Sequence, residues 1–213
     1  MTGRFITFEG GEGAGKSTQI ELLAAELRAL GIGVIVTREP GGTAGGEAIR
    51  DLIVHGQVDR WSAVAESLLL NAARADHVQR IIRPNLAAGN WVICDRYVDS
   101  TVVYQGIGKA VDVDDLLALH RYATNDLWPD LTIVLDVDLS VAAERITHRS
   151  ALDPSVGLRF EAHASDFHGV VANGFRKIAA ADTARCRLVD ANGTRAEVQA
   201  AVFALVAPLT ETA

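Results

Sequence analysis

Residues 4–18 read RFITFEGGEGAGKST, and this stretch decides the fold. Its first half is apolar and β-branched, the pattern of a buried strand. Its second half carries Gly10, Gly11, Gly13 and Gly15 and then Lys16, Ser17 and Thr18, so a strand runs through a glycine turn into a helix. Set against the spacing G-x-x-x-x-G-K-[ST], Gly10 opens the loop, Gly11, Glu12, Gly13 and Ala14 fill the variable positions, and Gly15, Lys16 and Ser17 close it. Glycines leave backbone N–H groups free to converge on phosphate oxygens, and the following helix adds the partial positive charge of its N-terminus. Lys16 is placed to bridge the terminal phosphates and Ser17 to ligate Mg²⁺. The loop from Gly10 to Thr18 is therefore expected to hold a nucleoside triphosphate with its magnesium.

Outward from that loop the same alternation repeats. Apolar runs at 4–9, 33–37, 91–95, 131–137 and 186–190 are short enough, and flanked well enough, to be buried strands. Helical spacing fills 17–30, 43–55, 63–88, 113–124, 140–149, 162–181 and 194–207. In the first of these Ile20, Leu23, Leu27 and Leu30 share one face and Gly31 supplies the stop; in 162–181 the stripe Phe167, Val171, Phe175, Ile178 reads as core. Strands that are apolar on both sides and alternate with helices imply a parallel sheet covered on both faces, so the class is α/β, open and doubly wound, with five strands. Ligands of such a sheet bind beyond the carboxyl ends of its strands, where the first loop, TREPGG (37–42) and DRY (95–97) all emerge. No repeat, low-complexity tract or linker divides the chain, and residues 1–213 read as one domain.

A chain of 213 residues, 49% of them hydrophobic, has material for one substantial core. Its formal net charge of −7 offers no bulk basic field to draw it onto nucleic acid or an anionic membrane, so any anion it binds must be held by local features. Cys94 and Cys186 lie far apart within apolar stretches and read as buried free thiols in a reducing compartment. No apolar run approaches the ~20 residues needed to span a bilayer, and the expected location is the cytoplasm. The six histidines show no zinc-ligand spacing.

The phosphate loop serves switches, motors and kinases alike. A switch GTPase is expected to carry N-K-x-D, which this sequence lacks, and a motor to be larger. A kinase needs a second anion-binding wall for its acceptor. TREPGGT (37–43) offers Arg38 just after the second strand; CDRYVDST (94–101) offers Asp95 as a magnesium-water acceptor and Arg96 as a planar fork for phosphate. Asp136 and Asp138 are rival acidic strand ends, and Asp95 is favoured because an arginine stands beside it. Arg38 reads alternatively as a surface ion pair. A further cationic cluster, Arg145, His148, Arg149 and Arg159, brackets the Pro/Gly-bearing SALDPSVGL and suits a flap over the triphosphate at about 149–160; a solvated helix face pairing Glu144 with His148 is the competing account.

In this order and spacing, FEGGEGAGKST (8–18), TREPGGT, AESLLLNAARADHV (65–78), CDRYVDSTVVYQG (94–106) and RFEAHASDFHGVVANGFRKIA (159–179) resemble the bacterial thymidylate kinase family, over nearly the whole chain to the turn at Asn192-Gly193. The resemblance implies the nucleoside monophosphate kinase form of the P-loop NTPase fold with a short lid, transfer of the γ-phosphoryl group of ATP to dTMP to make dTDP on the way to dTTP, and a homodimer. By the same likeness Glu12 is an acidic residue near the acceptor's sugar and phosphate, Arg38 and Arg96 contact the acceptor phosphate, and Pro40 lies with them. Arg74 reads thymine, Thr101 and Gln105 are polar base contacts, and Tyr104 crowds the 2′ position. The variable loop positions contain no arginine, as in the family branch that supplies its catalytic arginine from the lid, here Arg149. The implied catalytic set is Lys16, Arg149, Arg96, Asp95 and Glu12, with Ser17 and Asp95 serving magnesium.

One position departs from the family. Where a phenylalanine usually stacks on thymine, this chain has Leu70, followed by Asn71. A base stacked on an aromatic ring gains ~1–3 kcal/mol over alanine, so leucine is expected to bind more loosely unless another side chain stacks. The acceptor phosphate, with a second pKa of ~6, needs no general base. The protein's work is to bring two anions together in line and to offset their repulsion. A kinase acting on a hydroxyl needs a base, and Glu12 in that role keeps a deoxynucleoside kinase as an enzyme alternative; another nucleoside monophosphate kinase is a second. A nucleotide sensor that binds ATP without transfer is the alternative outside enzymes. A thymine methyl is worth ~0.8 kcal/mol on burial, too little for sequence to separate dTMP from dUMP.

Overall fold

The computed structural model describes residues 3–57, 60–152 and 165–211, and the side chains of all of these except 149–152 and 165–166. Five strands, β1 (Phe5–Glu9), β2 (Val34–Arg38), β3 (Trp91–Asp95), β4 (Leu131–Asp136) and β5 (Cys186–Asp190), form one parallel sheet in the order β2-β3-β1-β4-β5. The expected strands are all present, with ends shifted by a residue or less. The shift at β2 matters, because it brings Arg38 into the strand directly opposite Asp95, which in turn pairs with Phe8 of β1.

Period-two alternation assigns each strand residue to one of two cores. Ile6, Phe8, Trp91, Ile93, Ile133 and Leu135 face helix α1 (Lys16–Ala29) and α9 (Arg195–Thr210), meeting Leu23, Leu27, Val202 and Val206. Phe5, Val92 and Cys94 face the other way, onto Val78, Ile82, Tyr97 and Val98, and Val134 and Cys186 onto Val103, Val171 and Phe175. The central strands β3, β1 and β4 are buried on both faces, which is why they read as near-continuous apolar runs, whereas the edge strands β2 and β5 leave Val36 and Leu188 exposed. Cys94 and Cys186 are buried and free.

Among the described residues, side-chain caps open α2 (Ala44–Val54) on Thr43, α3 (Ala63–His77) on Ser62, α6 (Val113–Thr124) on Asp112 and α9 on Thr194, the last a reciprocal capping box with Glu197. Helix α1 has no such cap and no acidic residue in its first turn, so its leading N–H groups are left to a ligand. The helix expected over 63–88 is α3 continued through a π-helical turn at Val78–Ile82 into α4 (Arg83–Ala87). The wide turn precedes Pro84, which has no N–H to give the carbonyl four residues back and whose ring would crowd it.

Sequence periodicity marks no element between β3 and α6, yet the chain there forms α5 (Val98–Thr101) and a π-helical turn over Val102–Ile107. Four β-branched residues in six, Val98, Thr101, Val102 and Val103, obscure the helix. Tertiary contacts supply what propensity does not, as Val98 and Val103 are buried and a carboxylate from β1 bonds the helix's first amides. Helices α7 (Leu139–Leu152) and α8 (Ser165–Ala181) flank the segment expected as a lid. Most of that segment, Arg159 and the side chain of Arg149 lie outside the described residues. No described helix is long and apolar enough to cross a membrane.

Candidate active site

The loop after β1 is shaped by glycines whose side-chain hydrogens cannot be replaced. Gly10 and Gly13 have φ of 131° and 75°, and a Cβ on them would lie 2.4 Å from the Leu135 carbonyl oxygen and 2.6 Å from that of Ala142. Lys16 folds back over the loop, its Nζ donating to the carbonyls of Gly10 at 3.1 Å and Gly11 at 2.9 Å. Burial, and then Arg96, lower its pKa below the usual lysine value. The loop from Glu12 to Thr18 lines a hollow of about 920 Å³ at the carboxyl edge of the sheet, with Arg38, Asp95, Arg145 and His148 on its other walls. Gly10 and Gly11 sit behind the loop and line a separate, largely apolar cavity.

Asp95 closes β3 at the edge of this hollow, and its Oδ1 is buried without a hydrogen-bond partner among the described residues. An orphaned carboxylate oxygen and the Ser17 hydroxyl, lining one hollow beside a phosphate loop, are the donor set that a hydrated Mg²⁺ needs. The rival Asp136 is instead held by Arg176, whose Nε donates to both its oxygens at 3.0 and 2.9 Å. Arg145 donates to the carbonyls of Gly13 (3.4 Å) and Ala191 (3.0 Å), joining α7 to the loop.

A second, narrower pocket lies alongside. Its lining includes Pro40, Leu70, Arg74, Arg96, Thr101, Tyr104 and Gln105, every acceptor-side residue named from the sequence except Arg38. Arg38 stands on the wall of the larger hollow while pairing with Glu47 of α2 at 3.0 Å with its side chain 55% exposed, so one residue is both ion pair and cavity wall. The two hollows share Glu12, Glu39, Arg50 and Arg96. Arg96 spans the junction: one nitrogen donates to Glu12 at 2.6 Å, another to the Gly10 carbonyl at 3.2 Å, and the guanidinium lies 5.1 Å from the centre of the Tyr104 ring. Burial would lower its pKa, but Tyr104 and the carboxylates of Glu12, Asp95 and Glu9 more than offset that, and it is raised.

Arg74 is held from all sides. Its Nε donates to Glu39 at 2.7 Å, its Nη2 to Thr101 Oγ1 at 2.9 Å and its Nη1 to Asn71 at 3.3 Å, and its plane lies 5.0 Å over the Tyr97 ring. The other oxygen of Glu39 meets His77 Nδ1 at 3.0 Å, and His77 Nε2 meets the Thr37 hydroxyl at 2.7 Å. Burial alone would raise the Glu39 pKa, but Arg74 and then His77 outweigh it and keep the carboxylate below the usual range. A buried charge is thereby compensated on the wall of the pocket. Gln105 is fixed by its amide nitrogen, 2.8 Å from Glu66, and its buried Oε1 is an acceptor without a partner among the described residues. Leu70 stands one turn before Arg74 on the same wall.

Sequence reading missed Arg50 and Glu39. Arg50 shares a face of α2 with Glu47, three residues earlier, and that spacing after TREPGGT is the signal that reveals it. Glu39 beside Arg38 reads as a surface pair; only the fold turns it toward Arg74.

A sequence model of the family described as thymidylate kinase matches residues 8–202. The chain is 48% identical over 209 residues to the thymidylate kinase of Rhizorhabdus wittichii, covering 98% of this chain and 99% of that protein. It is 47% identical over 204 residues to that of Caulobacter vibrioides, covering 96% of each. Among solved structures, the thymidylate kinase of Ehrlichia chaffeensis superposes with a TM-score of 0.79 at 31% identity, over 97% of this chain and all of that one.

Proposed function

The chain belongs to the thymidylate kinase family and phosphorylates dTMP to dTDP, and we propose that it does so with ATP and Mg²⁺ in the two hollows that meet at Glu12, Glu39, Arg50 and Arg96. The observation that carries this reading is the junction itself. A triphosphate cradle opens on one side of it and a pocket with base-reading polar groups on the other, so the donor's terminal phosphate and the acceptor's phosphate meet at Arg50 and Arg96, with Arg38 on the wall of the larger hollow. Lys16 and the loop amides hold the donor; Arg96 and Arg50 draw the acceptor phosphate in line. Ser17 and Asp95 would hold the metal, which would supply positive charge to the donor's phosphates. Arg149 is the proposed cation for the transferring phosphoryl group, with residues 149–160 as its lid and the whole chain acting as one unit.

In the narrow pocket Arg74 donates to a base carbonyl and the Gln105 Oε1, unpartnered among the described residues, accepts from a ring N–H, a pairing that matches thymine and mismatches cytosine, whose N3 and N4 present the reverse pattern. Tyr104 crowds the 2′ position and Glu12 faces the sugar. The working form is a homodimer, a reading supported by the solvent-facing Val64 and Leu68 one turn apart on α3, and its place is the cytoplasm.

ADP release measured with ATP, Mg²⁺ and a panel of dTMP, dUMP, dCMP, AMP and thymidine tests the proposal. Turnover of dTMP with dCMP at least 10²-fold poorer in kcat/KM is expected, the penalty for leaving buried polar groups mispaired. Turnover of thymidine in place of dTMP would reject the acceptor site.

A further inference from the structure

We propose that Glu9, which lines neither hollow, is a positioning residue for Arg96: its carboxylate, acting through the Ser100 hydroxyl, sets the guanidinium that meets the acceptor phosphate. The inference rests on the reading above that Arg96 contacts that phosphate. Glu9 ends β1, one residue before the first glycine of the loop, and is completely buried. One of its oxygens accepts from the backbone N–H of Tyr97 at 2.7 Å and of Ser100 at 3.3 Å; the other accepts from the Ser100 hydroxyl at 2.6 Å. That same hydroxyl oxygen accepts from Arg96 Nη1 at 3.1 Å.

Arg96 has φ of 69°, a left-handed conformation that a side-chain-bearing residue keeps only where its surroundings hold it. Its own N–H bonds to the Phe8 carbonyl at 2.9 Å and the N–H of the next residue bonds to Glu9, so the end of β1 grips the strained turn on both sides. The side chain is gripped as well, through Ser100. A carboxylate that merely capped α5 would explain the two amide bonds. It would not explain a serine hydroxyl shared between carboxylate and guanidinium. A neutral hydroxyl, which has no charge to desolvate, would cap this helix at lower cost than a completely buried carboxylate. What a neutral cap lacks is the strong acceptor that turns the Ser100 O–H inward and leaves its lone pairs to Arg96.

Glu9→Gln keeps the size and one acceptor oxygen for the two amides, but directs an NH₂ group at Ser100, whose oxygen must then accept from it in competition with Arg96. The dissociation constant and KM of dTMP are expected to rise about tenfold, the effect of one charge-assisted hydrogen bond, while KM for ATP and the dissociation constant of thymidine, which has no phosphate, stay within about twofold. Ser100→Ala, at a partly buried position that does not threaten the fold, should reproduce the rise, and the double variant should be no worse than the more damaged single. Effects that multiply in the double variant, or that weaken dTMP and thymidine equally, overturn the inference. Arg96→Lys, measured alongside, separates two failures. If it leaves dTMP binding intact, the acceptor-phosphate reading falls; if it weakens dTMP while Glu9→Gln and Ser100→Ala do not, the role of Glu9 alone falls.

Discussion

Position 70 shows how a single side chain sets a wall of the base pocket. Leu70 gives a bound base apolar contact but no ring to stack on, and leucine retains only part of the ~1–3 kcal/mol that an aromatic gains over alanine. Leu70→Phe is therefore expected to lower KM for dTMP by about three- to tenfold with kcat unchanged, measured by initial rates at saturating ATP. A KM that stays the same or rises would mean that Tyr97 or Tyr104, which line the same pocket, already occupies that face. At this scale the residues that read easily were those inside compact motifs, from Gly10 to Thr18 and at Asp95 and Arg96, because adjacent positions share one local function. Glu39 and Glu9 did not read at all. A carboxylate next to an arginine or a glycine has no local signature for the guanidinium it meets 35 residues away at Arg74, or the hydroxyl 91 away at Ser100.

Among the elements, α6 carries a side chain with a large expected pH effect on folding. His120 is fully buried with Tyr97 at 5.4 Å and Trp128 at 4.7 Å, both edge-on, and neither ring nitrogen makes a hydrogen bond of ordinary geometry among the described residues. Burial, and then Arg74, push its pKa down to about 4 from the usual 6.5. The unfolded chain therefore takes up this proton near pH 6.5 and the folded chain only near pH 4. Stability present at neutral pH is lost as pH falls through that window, by about 3 kcal/mol from this group. Urea unfolding at pH 7, 5.5 and 4.5 should show wild type losing stability relative to His120→Phe progressively, by about 2 kcal/mol at pH 4.5; parallel curves would show that the histidine protonates without opening the core. Helix α5 is the element that sequence reading did not find. Its β-branched residues oppose the helix, and the amide bonds to Glu9 and the burial of Val98 and Val103 decide the matter instead.

For the molecule as a whole, the proposed dimer makes a prediction of its own. Val64 and Leu68 are 60% and 53% exposed on one face of α3, the helix that also carries Leu70 and Arg74 on its buried side. Sedimentation equilibrium is expected to give twice the 22.7 kDa chain mass for wild type and the single-chain mass for Leu68→Asp; a wild-type monomer would make the exposed pair an ordinary surface feature. By itself the sequence determined the phosphate loop, the five parallel strands and most of the long helices. Each of these rests on a spacing of a few residues: glycines where backbone must approach phosphate, period two in strands, 3.6 in helices. Only the tertiary structure decided which charges meet. Glu9 beneath Arg96 and Glu39 between Arg74 and His77 are contacts between elements distant in sequence, and the fold also leaves one buried oxygen of Asp95 without a partner among the described residues. Burial and electrostatic pairing depend on distances that the folded sheet sets and that no local pattern contains.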